Sequence, residues 1–194
     1  MAIITSAIIG ENSDLIPKIM ELYVPEGSVI IDVTYGKGVF WKNIDLSKYK
    51  FIGTDLQFGI DFRKLPYQNS SVDCFVLDPP YMHGGETIKP SINRCYHNKN
   101  TSHESVIRLY LGGALEASRV LKKGGKFLIK CQDEIESGKQ MLSHIELINI
   151  ITLIGFKVID LFVLLQKTVP AMRLEYQKSA RKNHSYMVIF EFRR

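Results

Sequence analysis

Apolar positions along the chain fall into short runs and helical stripes, and their alternation predicts the elements. From Asp14 to Tyr23, Leu15, Ile19 and Leu22 recur at helical spacing, and Pro25-Glu26-Gly27 punctuates the end of that segment. Ser28 to Thr34 is β-branched and almost wholly apolar, as in a strand covered on both faces. Gly36 and Gly38 then open a helix through Phe40 and Trp41 to about Leu46. Phe51 to Asp55 reads as a short strand and Val72 to Leu77 as a longer one. A helix over Ser105 to Leu121 turns Val106, Tyr110, Leu111, Ala114 and Ala117 inward, and Gly124-Gly125 stops it before a strand from Lys126 to Cys131. Lys139 to Leu153 reads as an amphipathic helix closed by Gly155. Phe156 to Leu165 and Ser185 to Phe192 are the last two strands. Strands alternating with helices predict an α/β fold with a mostly parallel sheet and helices on both faces.

Two stretches break the rhythm. Residues 82–104 form a polar connection directly after the strand that ends at Leu77-Asp78, and residues 167–184 separate the last two strands. Connections of this length usually carry function or lack order, and both are candidates for handling a substrate. No internal repeat, low-complexity tract or linker divides the chain, so residues 1–194 are expected to form a single domain.

Composition narrows the class. Apolar residues at 45% and charged residues at 23% are ordinary for a soluble globular protein. No signal peptide is recognisable, and no apolar run approaches the roughly 20 residues needed to span a bilayer. The three cysteines, Cys74, Cys95 and Cys131, form no CxxC pair, and their odd number argues against a disulfide framework. A reducing cytoplasm is the expected location, with no membrane partner. The net charge of +5 is concentrated at one end: from Leu165 onward seven basic residues face only Glu175 and Glu191, leaving the rest neutral. Lys178, Arg181 and Lys182 in that segment suit a phosphate backbone, although a merely solvating tail has the same composition. Arg94 and Lys99, beside Tyr96, are a second candidate contact to nucleic acid. Five histidines are too scattered along the chain to suggest a metal site.

The densest chemical signal is Asp78-Pro79-Pro80-Tyr81, placed after the apolar run Cys74-Phe75-Val76-Leu77. The prolines fix φ and donate no backbone hydrogen bond, so the turn is stiff and its carbonyls stay available. Asp78 and the adjacent carbonyl can accept both protons of an exocyclic amino group, and Tyr81 can stack on the ring that bears it. Those contacts orient a nitrogen lone pair toward an electrophile, which suits methylation of an amino group. A bare strand terminator with Asp78 as a turn cap is the plainer alternative.

A second constellation precedes it. Asp32-Val33-Thr34-Tyr35-Gly36-Lys37-Gly38 follows the first long strand, and the glycines let the backbone approach a ligand. The leading Asp32 would repel a phosphate but suits a cationic amino group, and S-adenosylmethionine carries an ammonium, a sulfonium and no phosphate. Asp55 ends the next strand, about 20 residues on, where an acid typically holds ribose hydroxyls. Asp61-Phe62 is a candidate frame for the adenine.

With these motifs in that order, the chain resembles the class I S-adenosylmethionine-dependent methyltransferases, particularly the DNA amino-methyltransferases of bacteria and phages. Asp32-x-Thr34-x-Gly36-x-Gly38-x-Phe40 is similar to their glycine motif. Asp61 to Pro66, Lys130 to Glu134 and Arg181 to Tyr186 extend the likeness over nearly the whole chain from Ser28. The resemblance implies a Rossmann-like, mostly parallel seven-stranded sheet, S-adenosyl-L-methionine as cofactor and no metal. Asp32, Thr34, Gly36, Gly38, Asp55, Asp61 and Phe62 are then the expected cofactor contacts. It further implies that Asp78 orients the amino group, the Pro79 carbonyl assists, Pro80 stiffens the turn and Tyr81 stacks on a flipped base. An Asp at the first motif position points to adenine N6, with DNA ahead of RNA as the polymer. Restriction-modification members of this group usually carry a target-recognition domain for which this sequence has no room. Specificity is therefore expected from the two long connections, a homodimer partner or a separate specificity subunit. An RNA amino-methyltransferase acting on adenine N6 or guanine N2 is the alternative enzyme, and a non-catalytic nucleic-acid-binding subunit the alternative of another class.

Overall fold

The computed structural model describes residues 3–80, 102–167 and 178–194. In chain order the elements are β1 (Ala7–Ile9), α1 (Asn12–Tyr23), β2 (Val29–Asp32), β3 (Lys50–Gly53), β4 (Val72–Leu77), α2 (His103–Val120), β5 (Leu121–Cys131), β6 (Glu134–Glu136), β7 (Lys139–Met141), α3 (Ser143–Leu153), β8 (Phe156–Leu165) and β9 (His184–Phe192). Seven strands make one sheet in the order β1-β8-β9-β5-β4-β2-β3, and β6 and β7 form a separate hairpin. Only β9 runs against its neighbours, pairing antiparallel with both β5 and β8. The expected α/β sheet, mostly parallel and covered on both faces, is what the chain forms.

Alternation along the central strands divides the core in two. Ile31, Phe75, Leu77, Phe127 and Ile129 face the side covered by α2 and α3, where they meet Val106, Tyr110, Ala114 and Leu147. Ile30, Cys74, Val76 and Leu128 face the other side, against Leu15, Ile16, Ile19 and Met20 of α1. Central parallel strands buried on both faces lose the apolar–polar alternation, which is why these segments read as continuous runs. On α1 the stripe is rotated from the expected one: Ile16 and Met20 are inside and Leu22 is exposed.

Local chemistry explains the ends of the helices. Asp14 accepts the backbone N–H of Glu11 to close a capping box on α1. Pro17 inside that helix cannot donate to the Ser13 carbonyl, and the Asn43 side-chain amide donates to it instead at 3.0 Å. Ser102 and Ser105 form the corresponding box on α2.

Three expectations are corrected. The segment after Gly38 is not a helix to Leu46 but two short 3-10 turns, Val39–Trp41 and Leu46–Lys48; Phe40 and Trp41 are buried, and Asp45 caps the second turn through Ser47. Residues 139–141 are a strand, so α3 starts at Ser143. Ser137 and Gly138 both have positive φ, the geometry of a tight two-residue turn, and they close β6 onto β7. Finally, α2 ends at Val120 and β5 begins at once, with Gly124-Gly125 inside the strand as an irregularity rather than before it.

Candidate functional site

Asp32, Asp55 and Asp78 follow or end β2, β3 and β4, which are neighbours in the sheet, so all three acids gather at the carboxyl end of adjacent parallel strands. Open α/β sheets bind ligands at that edge. The backbone joins the strands there: Thr54 N–H donates to the Asp32 carbonyl at 2.8 Å and Val33 N–H to the Val76 carbonyl at 3.2 Å.

The glycine loop is shaped from within. Gly36 and Gly38 have φ of +54° and +68°, a region where side chains other than glycine's are strained. A Cβ on Gly38 would meet the Tyr35 hydroxyl oxygen at 2.5 Å, so the loop folds over its own tyrosine. At Gly36 that position is open, with only the Thr34 carbonyl oxygen within 4 Å at 3.9 Å, and bare backbone is presented. Asp55 laces the loop to the next strand end by accepting the backbone N–H of Gly36 at 3.0 Å and of Gln57 at 3.1 Å. Gln57 returns a bond from its amide to the Gly36 carbonyl at 3.0 Å. Beyond Asp55, Leu56 and Phe58 are 50% and 58% exposed, an apolar border that the sequence reading did not single out.

Asp32 faces inward. It is 3% exposed, and its carboxylate accepts the Trp41 indole N–H at 2.7 Å and the Thr34 backbone N–H at 2.9 Å. Burial pushes its carboxyl up to about 7, against the pull of those hydrogen bonds, with Asp78 adding to the rise. Thr34 ties the two halves together: its hydroxyl lies 3.3 Å from the Asp32 carboxylate and accepts the backbone N–H of Asp78 at 2.7 Å.

Asp78 is the least satisfied of the acids. Its Oδ1 is buried and has no hydrogen-bond partner among the described residues, while Oδ2 lies 3.7 Å from the ammonium of Lys130. Burial raises its carboxyl overall, with Lys130 pulling part of the way back. Pro79 is buried behind it and Pro80 half-buried. Lys130 is 5% exposed and sits 5.8 Å from the centre of the Phe40 ring. A lysine in the otherwise apolar segment Phe127 to Cys131 is the sequence signal that could have singled it out as a functional residue.

The remaining candidates are more dispersed. Asp61 is held by Arg63, whose guanidinium donates at 2.6 and 2.9 Å and keeps the carboxyl below the usual carboxylate range. Phe62 is half-buried against the α2 side of the core. Lys178 is exposed; Arg181 and Lys182 are half-buried at the entry to β9. The Lys182 ammonium donates to the Gln140 side chain at 2.7 Å, and Gln132 just after β5 donates to the Lys182 and His184 carbonyls. Tyr81, Arg94 and Lys99 lie outside the described residues, as does most of both long connections.

Three of the scattered histidines meet at one corner beside this edge. His103 is clasped between Glu134 at 2.8 Å and Glu146 at 3.0 Å. Burial opposes its charge, but those two hydrogen bonds push it up overall. His144 bonds Asp133 at 2.7 Å and stacks on Tyr186, and the Tyr186 hydroxyl lies 3.1 Å from the His184 ring. The start of α2, the β6–β7 hairpin, the start of α3 and the start of β9 are thereby joined. Two open recesses of about 380 and 310 Å³ lie at the opposite, amino-terminal edge of the sheet and touch none of these groups.

No protein-family model matches the chain, and no curated protein matches it. Solved structures do. TrmN from Thermus thermophilus superposes with a TM-score of 0.56 and 15% identity over 93% of this chain and 48% of its own. A protein described as a SAM-dependent methyltransferase from Methanosarcina mazei gives 0.51 and 12% identity over 90% and 97%. The fold is that of the Rossmann-like class I methyltransferases. TTHA0409, also from Thermus thermophilus and described as a putative DNA modification methylase, matches in complex with S-adenosyl-L-methionine with a TM-score of 0.48 and 17% identity over 69% and 51%. The chain spans about half the length of TrmN and of TTHA0409.

Proposed function

We propose that the chain is an S-adenosylmethionine-dependent methyltransferase acting on an exocyclic amino group of a nucleobase, adenine N6 in DNA in the first instance. The observation that carries this reading is the buried Oδ1 of Asp78, without a hydrogen-bond partner among the described residues, on a residue whose backbone N–H is held by Thr34 beside an open glycine loop. A buried acceptor without a donor is costly, and a ligand N–H relieves that cost. The shared fold of the Methanosarcina methyltransferase supports the choice of reaction class.

The cofactor fits the residues present. Gly36 offers unobstructed backbone, Asp55 stands where ribose hydroxyls would be held, and Leu56 and Phe58 offer apolar surface to a purine. S-adenosylmethionine supplies an electrophilic methyl carbon when bound. The chain's own residues do the rest: Asp78 accepts one amino N–H, the Pro79 carbonyl takes the other, and Tyr81 stacks on the extruded base. This aims the nitrogen lone pair at the cofactor side, and positioning of this kind accounts for much of the rate in such transfers. In this reading Asp32 acts mainly through Trp41 and Thr34, shaping the loop. Arg94, Lys99, Lys178, Arg181 and Lys182 contact the nucleic-acid backbone, a homodimer partner or specificity subunit adds site selection, and the two long connections handle the substrate.

Methyl transfer from tritiated S-adenosylmethionine to duplex DNA, single-stranded DNA and total RNA, followed by digestion to nucleosides and mass spectrometry, tests the whole reading. N6-methyl-2′-deoxyadenosine from DNA is the expected product. An amino-methylated nucleoside from RNA alone would move the function to RNA, and no methylated nucleoside from any polymer would overturn it.

A further inference from the structure

Asp32, Asp78 and Lys130 converge on one face of the sheet. Ile30, Val76 and Leu128 point to the α1 side, and the residues two further along β2, β4 and β5 are Asp32, Asp78 and Lys130. Asp78 and Lys130 stand level at the ends of adjacent strands, and Asp32, the register partner of Val76, sits one pair back on the same face, with Phe40 and Trp41 beneath them. Lys130 is nearly sealed from solvent, and its backbone is pinned by the Tyr110 hydroxyl, which donates to the Lys130 carbonyl at 2.6 Å. Its ammonium is 3.7 Å from Asp78 Oδ2. Asp78 Oδ1 has no hydrogen-bond partner among the described residues.

We propose that Lys130 is a positioning residue for methyl transfer: its ammonium holds Asp78 as a carboxylate, anchored through Oδ2, so that Oδ1 is a pure acceptor for the substrate amino group. The inference rests on the amino-methyltransferase reading and deepens it. A protonated Asp78 would carry a donor where the mechanism needs an acceptor. Burial drives Asp78 toward that neutral form and leaves its carboxyl raised overall, with Lys130 pulling the other way. The Cys131 thiol, also coupled to Asp78, is buried and held protonated, so it adds no charge. Lys130 is the cation whose charge opposes that burial. A lysine in a sheet interior is expensive unless paired, and its pairing to the motif acid accounts for its place in an apolar strand.

Two readouts on Lys130→Met and Lys130→Arg test this. The first is the pH profile of methyl transfer. For Lys130→Met the acidic limb is expected to move to higher pH, with kcat at pH 7 falling about tenfold or more and recovering toward wild type near pH 9, while KM for S-adenosylmethionine changes little. Lys130→Arg, which keeps the charge, should retain most of the wild-type limb. A loss equal at every pH, or none, would reduce Lys130 to a packing role and overturn the proposal. The second readout needs no activity: the Asp78 carboxyl carbon, assigned by comparison with Asp78→Asn, is titrated by carbon-detected NMR. Its midpoint should rise in Lys130→Met and stay near wild type in Lys130→Arg; equal midpoints would overturn the proposal. If Lys130→Met does not fold, Lys130→Gln takes its place. If the wild type methylates no nucleic acid, the methyltransferase reading falls, and the titration still decides whether Lys130 governs Asp78.

Discussion

The hydroxyl of Thr34 accepts the backbone N–H of Asp78 at 2.7 Å, so the glycine loop and the Asp-Pro-Pro turn share one hydrogen bond. The sheet makes this possible by placing β4 directly beside β2. Thr34→Val keeps the shape and removes the acceptor, leaving a part-buried N–H unsatisfied. The expected cost is about 1–3 kcal/mol in urea unfolding, together with reduced methyl transfer. Thr34→Ser should restore both, and equal stability of the valine variant would show the bond to be dispensable.

Asp55 makes two loop-lacing bonds, to the N–H groups of Gly36 and Gln57. Asp55→Ala should weaken S-adenosylmethionine binding by about tenfold or more, since two bonds of roughly 1 kcal/mol each preorganise the loop. Calorimetric titration measures this. Asp78→Ala, by contrast, should leave that affinity nearly intact and lower kcat by about a hundredfold.

Asp32 predicts a pH dependence of stability. Its carboxyl is raised in the folded protein, to about 7, so the native state binds the proton more tightly than the unfolded chain does. The stability it contributes is full below about pH 4, the ordinary range of an aspartate, and is lost as pH rises toward 7. His103, also raised, contributes with the same sign but at higher pH, losing its share as pH climbs through its elevated value. Urea midpoints of wild type and Asp32→Asn between pH 4.5 and 7.5 separate the two, because only the Asp32 share disappears in the variant. A wild-type slope preserved in Asp32→Asn would place the proton elsewhere.

The arrangement of strands was legible in the sequence because burial on both faces leaves unbroken apolar runs. Val72–Leu77, buried at five of its six positions, was delimited to the residue, as was Phe156–Leu165, which is apolar apart from Lys157 and Asp160. The β6–β7 hairpin was not, because its turn depends on Ser137 taking a positive φ, which a serine does not advertise. Of the site, the order of Asp32, Gly36, Gly38, Asp55 and Asp78 could be read, since each stands at or just beyond the end of a run. The inward turn of Asp32 could not: it depends on Trp41, which reaches back from a 3-10 turn where a helix was expected. Lys130 and the histidine corner depend on β5 lying beside β4 and β9, and periodicity within one segment carries no information about neighbours.

Gly113 sets how closely α2 lies on the strand that leads into Asp78. A Cβ there would come within 2.8 Å of Leu77 Cδ2 and 3.2 Å of the Phe62 ring. Leu77 is completely buried, so its side-chain end has little room to yield, and it immediately precedes Asp78. In a helix interior alanine is intrinsically favoured over glycine by up to about 1 kcal/mol, so an exposed Gly→Ala change would stabilise. Here the clash should prevail, and Gly113→Ala is expected to lose about 1–3 kcal/mol in urea unfolding, the usual cost of overpacking. Because the displaced residue is Leu77, methyl transfer should fall further than the stability loss alone explains, with S-adenosylmethionine affinity less affected. Phe62→Leu in the same chain relieves one side of the clash, so the double variant should recover part of the stability. A Gly113→Ala variant as stable and active as wild type would show that the helix can shift on the sheet without disturbing the Asp-Pro-Pro turn.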